Sequence, residues 1–218
     1  MKDIAIYGAG GMGREAACMI NRINFANGKE VWNLVGFFDD GIPKGHGNEF
    51  GEVLGGAETL NIVDKELCLN VAIGNPVLIR RVVENIINPK ISYPNIIDPT
   101  VDFWDQDSLQ MGMGNIFCPH CSVSCQVKIG SFNIFNGDVS LRHDVSVGNY
   151  NAFMPNVKIS GGVKVGNGNF LGINAAVTQY KIIGNNTRIG AGSIVMDDTE
   201  DNNLYVGTPA QRKEVAHE

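Results

Sequence analysis

A small α/β domain followed by a parallel β-helix of hexapeptide repeats is the fold this 218-residue sequence predicts. Three observations carry it. A glycine-rich loop joins a strand to a helix at the N-terminus, an aliphatic residue recurs every six positions from residue 111, and glycine and asparagine recur every eighteen over the same stretch. The change of period sets the expected domains at 1–98 and 99–218.

The N-terminal elements follow in order. Ile4 to Tyr7 is a short apolar run of buried-strand type, and Gly8-Ala9-Gly10-Gly11-Met12-Gly13 follows it. Arg14 to Arg22 reads as a helix with Ala17, Met19, Ile20 and Ile23 on one stripe. Val31 to Phe38 predicts a second strand closed by Asp39-Asp40, and Leu69 to Ile73 a third. Asn75 is a good N-cap and Pro76 suits the first helical position, so a helix is expected from Pro76 to about Asn88. Together these form a βαβ unit with a parallel sheet, Rossmann-like and half the size of a full dinucleotide domain. Gly8-x-Gly10-x-x-Gly13 fits a phosphate-cradling loop, and the acids at the end of the second strand stand where a ribose would be held. A nucleotide-sugar suits so small a domain better than NAD.

From residue 111 the pattern is different. Met111, Phe117, Val123, Ile129, Phe135, Leu141, Val147, Phe153, Ile159, Val165, Leu171, Val177, Ile183, Ile189 and Val195 keep one six-residue phase. That period is neither helical nor alternating, and it marks a solenoid in which each hexad makes one side of a coil. Gly112, Gly130, Gly148, Gly166 and Gly184 step by eighteen, as do Asn115, Asn133, Asn151 and Asn169, with Thr187 continuing the column. Three hexads therefore close one turn of a triangular prism, with five coils between 111 and 200 and the asparagines in a ladder. The stretch from Leu204 leaves this phase and is expected to cap the last coil.

Composition narrows the function. A net charge of −6 without a basic run makes nucleic acid or an anionic membrane an unsuitable primary partner. No apolar run reaches the length of a membrane span, and the first residues lack a signal peptide's basic start. Five cysteines at no framework spacing point to a reducing cytoplasm. Cys118-Pro119-His120-Cys121 with Cys125 invites a zinc reading, yet a rigid coil points these side chains apart, so no metal is expected. The titratable group that best breaks the repeat is His143, in Leu141-Arg142-His143-Asp144. It should point outward, with Cys125 one coil before and Gly161-Gly162 one coil after. Bare backbone beside an imidazole would leave room for a substrate and offer N–H groups to an oxyanion. A general base and a solvated surface histidine both fit that spacing.

The N-terminal glycine loop, Asp39-Asp40, Gly74-Asn75, His143-Asp144, Phe170-Leu171-Gly172-Ile173-Asn174 and Val206-Gly207-Thr208-Pro209-Ala210 stand in the order of a known family. Over nearly its whole length the chain resembles the bacterial left-handed β-helix acetyltransferases that modify nucleotide-linked amino sugars or sialic acid. The resemblance implies a left-handed coil and acetyl-CoA as co-substrate. It implies a homotrimer with the coenzyme between two prisms, lined at Ile173 and Ala191. His143 would take a proton from the acceptor, Asp144 would raise its basicity, and Gly161 would hold the oxyanion. Asn136 matches a polar position near the acceptor. Gly10, Gly11, Met12, Asp39, Asp40 and Gly74 match positions that bind the nucleotide-sugar. Where the family often has a second histidine at the coenzyme, this chain has Ala152. An N-acetyltransferase in surface-glycan biosynthesis is the leading expectation. Sugar O-acetylation, a non-catalytic trimeric nucleotide-sugar-binding protein and an NAD-linked oxidoreductase are the alternatives.

Overall fold

The structure is a computed structural model and describes residues 1–213. The chain divides into two compact units, Met1–Pro99 with Met113–Ile116, and Thr100–Gly112 with Phe117 onward.

In the first unit the central strand is β1 (Lys2–Tyr7), whose Ile4, Ala5 and Ile6 are fully buried. It is followed by α1 (Gly11–Ala26), β2 (Trp32–Phe38), β3 (Gly47–Asn48), β4 (Gly51–Gly55), α2 (Ala57–Asn61), β5 (Leu67–Val71), α3 (Pro76–Asn85) and β6 (Ile91–Ser92). The sheet order is β3-β4-β2-β1-β5-β6. Strand β1 pairs in parallel with β2 on one side and β5 on the other, so the chain reverses direction across the sheet there. That switch point is where open α/β sheets bind ligands. Helix α1 starts three residues before the expected Arg14 and takes in the end of the glycine loop. Helix α3 begins as predicted, with Asn75 Oδ1 accepting the Val77 and Leu78 N–H groups, and ends at Asn85 rather than Asn88. The β3–β4 hairpin and α2 had no sequence signal, being short and glycine-flanked.

The second unit is a triangular prism of two-residue strands. One face carries Ile116–Phe117, Ile134–Phe135, Ala152–Phe153, Phe170–Leu171 and Arg188–Ile189. The next carries Asp102–Phe103, Ser122–Val123, Ser140–Leu141, Lys158–Ile159, Ala176–Val177 and Ile194–Val195. The third carries Gln110–Met111, Lys128–Ile129, Ser146–Val147, Lys164–Val165 and Ile182–Ile183. From Gln110 to Val195 paired strands are eighteen residues apart, as with Ser122↔Ser140 and Lys128↔Ser146. The repeat begins earlier than the expected residue 111: Phe103 already pairs with Val123, twenty residues on, because two extra residues in the 105–108 turn break the phase. At the other end Arg188 pairs with Leu204, only sixteen residues on. Strand Leu204–Val206 then takes Gln211–Lys213 antiparallel, which is the expected cap; residues 214–218 of that stretch lie outside the described residues.

Each six-residue column now has a physical reason. The inward aliphatic column is buried, and Phe117, Phe135 and Phe153 stack with centroids 4.3 and 4.9 Å apart. The glycine column marks a corner packed to backbone contact: a Cβ on Gly130, Gly148 or Gly166 would stand 2.6 Å from the carbonyl oxygen one coil on. A residue with φ between +52° and +70° recurs every six positions from His120 to Gly192, which accounts for the wealth of Asn, Asp and Gly at the corners.

The asparagine ladder is fully buried. Asn133 Oδ1 accepts both the backbone N–H and the amide of Asn151, at 2.9 Å each. Asn151 Oδ1 accepts the Asn169 N–H at 2.8 Å, and Asn151 Nδ2 donates to the Gly166 carbonyl at 3.0 Å. Asn151→Ala strands groups on both neighbouring coils. Each unsatisfied buried group costs about 1–3 kcal/mol, so a loss of roughly 3 kcal/mol or more is expected in urea unfolding. A loss below about 1 kcal/mol would show that the ladder is dispensable.

Candidate functional site

The prism presents the expected residues at two different corners. Ser140–Leu141 runs into the corner Arg142-His143-Asp144, and His143 points outward, half exposed. Asp144 is one of the left-handed corner residues, with φ +59°, and its Oδ2 lies 2.8 Å from His143 Nδ1. A carboxylate on Nδ1 fixes the ring and leaves Nε2 as the nitrogen for chemistry. One coil on, Gly161 is buried, and a Cβ there would fall 2.4 Å from both Cε1 and Nε2 of the imidazole. The room expected for a substrate above Gly161 is therefore filled by the histidine itself, because the ring lies back along the prism axis. Gly161 is the seat of the imidazole. Its N–H donates to nothing among the described residues, while its carbonyl accepts the Tyr180 N–H at 2.9 Å.

Two side chains near this corner carried no sequence signal. Tyr180 lies over Gly162, whose Cβ would be 2.3 Å from its ring, yet Tyr180 is 70% exposed. The eighteen-residue step from Gly162 to Tyr180 could have placed it. On the opposite side, the Arg142 guanidinium lies 5.1 Å from the centroid of the Trp104 ring, whose Nε1 donates to Asp102 at 2.8 Å.

Asn136, Ile173 and Ala191 share the preceding corner, after the Ile134–Phe135 face. Asn136 Nδ2 reaches Met154 Sδ at 3.9 Å, and Cys118 Sγ approaches Asn136 Oδ1 at 3.7 Å. Ile173 and Ala191 line an apolar groove of about 400 Å³ with Met154, Pro155, Phe170 and Arg188. Seven residues of near-extended chain separate Asn136 from His143, roughly 15–20 Å, so one chain does not bring them together. Ala152, expected beside the coenzyme, has no exposed surface and lies in the ladder between Ile134 and Phe170. Cys118 and Cys121 are buried, and Cys121 Sγ donates to the Asn136 carbonyl at 3.1 Å, a packing role.

In the first unit the glycines divide by function. Gly8, at φ +102°, and Gly13 are demanded by the fold, since a Cβ on Gly13 would lie within the Gly8 carbonyl oxygen's contact radius. Gly10, Gly11 and Gly74 meet nothing within 4 Å, so the space above them is open to a ligand. Helix α1 starts at Gly11 with neither a side-chain cap nor an acidic residue in its first turn, which leaves N–H donors for an anion. Asp39 is tied to the loops: Oδ2 accepts the Ala9 N–H at 2.9 Å and Oδ1 the Gly41 N–H at 2.8 Å. Asp40 Oδ1 accepts the Ala57 N–H at 3.1 Å. Both acids line a cleft of about 350 Å³ with Tyr7, Gly8, Ile73 and Arg81, whereas Gly10, Gly11 and Met12 stand outside its lining. Tyr7 is buried, and burial, followed by contact of its hydroxyl with the Asp40 carboxylate, pushes its pKa well above the usual phenol range.

Residues 3–86 match the family model of the PglD N-terminal domain. No curated protein matches the chain in sequence. Among solved structures, the acetyltransferase domain of PglB from Neisseria gonorrhoeae FA1090, in complex with acetyl coenzyme A, superposes with a TM-score of 0.86 at 25% identity, covering 97% of this chain and 99% of that one. PerB from Caulobacter crescentus, in complex with CoA and GDP-perosamine, gives a TM-score of 0.85 at 27% identity, with 98% of each chain covered. WeeI from Acinetobacter baumannii AYE shares the fold, with a TM-score of 0.86 at 24% identity over 98% of this chain and all of that one. The prism is accordingly a left-handed parallel β-helix, residues 3–86 form a PglD N-terminal domain, and the chain as a whole is similar to acetyltransferases of this architecture.

Proposed function

We propose that the chain is an acetyl-CoA-dependent N-acetyltransferase of a nucleotide-linked amino sugar in surface-glycan biosynthesis, working in the cytoplasm as a homotrimer. The observation that carries this reading is the His143 imidazole, held on Asp144 at 2.8 Å and seated on the bare backbone of Gly161. In the reaction Nε2 accepts the proton of the acceptor amine as its nitrogen attacks the thioester carbonyl of acetyl-CoA. The Gly161 N–H, without an acceptor among the described residues, stabilises the tetrahedral oxyanion. Collapse expels the CoA thiolate, which recovers the proton from the imidazolium.

The groove at Ile173 and Ala191 suits the apolar pantetheine arm, with Arg188 at its edge for the charged end of the coenzyme. Its placement at a different corner from His143 supports an assembly in which one copy supplies the base and its neighbour supplies Asn136 and the coenzyme groove. A head-to-tail contact of this kind closes into a ring when a three-fold rotation relates the copies. The nucleotide is assigned to the first unit, at Gly10, Gly11, Met12, Asp39, Asp40 and Gly74. There Asp39 acts by fixing the loops, and the open glycines receive the ligand. Among the described residues no helix is long and apolar enough to cross a membrane, and all five cysteines are free thiols, in keeping with a reducing compartment.

Incubation with acetyl-CoA and a panel of nucleotide-linked amino sugars, read by mass spectrometry, is expected to give a product heavier by one acetyl group. His143→Ala should lower kcat/KM roughly 10²–10⁴-fold and leave the melting temperature unchanged, since the ring is half exposed; near-wild-type turnover would refute the assignment. Gly161→Ala, allowed by its backbone, should lose activity to a similar degree by unseating the ring. A crystal structure of that variant with the His143–Asp144 contact intact would overturn the steric role.

A further inference from the structure

The cleft of the first unit holds opposite charges that do not neutralise each other. Asp39 and Asp40 stand on one wall, at the end of β2. The other wall is α3, which presents Leu78, Arg81, Val82 and Asn85, residues spaced three and four apart on one helical face. The two arginines of α3 differ. Arg80 turns along the helix to Glu84, with Nε 2.8 Å from Oε1, whereas Arg81 makes no ion pair and no hydrogen bond among the described residues. No nitrogen of Arg81 comes within 4.0 Å of an oxygen of Asp39 or Asp40, although all three line the same 350 Å³ space. The acids are partly satisfied from behind: Asp39 holds two backbone N–H groups, and Asp40 holds one on Oδ1 with the Tyr7 hydroxyl beside its carboxylate. Tyr7, itself buried, lines the same cleft.

A ligand that fits must offer hydroxyl donors at one end and an anion at the other. We infer that Arg81 is the phosphate-reading residue of this cleft, clamping a phosphate oxygen pair of the nucleoside diphosphate through its guanidinium fork while Asp40 accepts from ribose hydroxyls. A guanidinium matches two phosphate oxygens in its own plane, which a point charge does not. The assignment rests on the nucleotide reading above and adds the side chain that discriminates phosphorylated from unphosphorylated ligands.

Calorimetric titration of the full chain with UDP and uridine, and with GDP and guanosine, separates the possibilities. For the base that binds, the wild-type protein is expected to hold the diphosphate more tightly than the nucleoside. Arg81→Gln should weaken the diphosphate roughly 10- to 100-fold and leave nucleoside affinity unchanged, with Arg81→Lys intermediate and Arg80→Gln like wild type. Arg81→Gln binding the diphosphate as wild type does, or losing nucleoside and diphosphate equally, overturns the assignment while leaving the nucleotide reading in place. A wild-type protein that binds neither UDP nor GDP overturns the nucleotide reading and this assignment with it.

Discussion

Parallel stacking of coils in strict register is the constraint on which the second unit depends. Each backbone N–H along a face finds a carbonyl on the next coil, so any residue's neighbours are those eighteen positions before and after it. Interiors of this kind need no long-range pairing decisions, and a side chain's address follows from its count along the chain. The same register brings His143 over Gly161 and Tyr180 over Gly162, so the placement of the imidazole is inherited from the scaffold.

The first unit obeys a different logic. Its sheet reverses at β1, and the loops meeting there are held by side chains that look like ligand contacts but serve the backbone. Asp39 is the clearest case, since both of its oxygens are occupied by loop N–H groups. What the fold leaves uncommitted is open backbone at Gly10, Gly11 and Gly74, and the charges facing across the cleft.

The prism was legible because its period is long, unbroken and tied to one packing position. Its first coil was not, because two residues at 105–108 shift Phe103 out of phase with Met111. The orientation of His143 could be read from its hexad position, but not that its ring would occupy the space above Gly161, since χ angles leave no trace in spacing. Asn136 and His143 look like neighbours seven residues apart, and only a closed three-sided coil reveals that they face different ways. The burial of Ala152 was hidden because outward-pointing positions on a coil are ordinarily exposed. Arg81 went unnoticed because a pair of arginines on a helix looks like a solvated face until one of them is found tied to Glu84.

The two departures from the common coil length, twenty residues at the start and sixteen near the end, carry an evolutionary meaning. Inside a strand of the regular stretch, gaining or losing one amino acid would turn core side chains to solvent, whereas a turn can absorb extra residues and return the chain to register, as the one at 105–108 does. Change in length therefore belongs to the corners of this scaffold, and substitution to its walls.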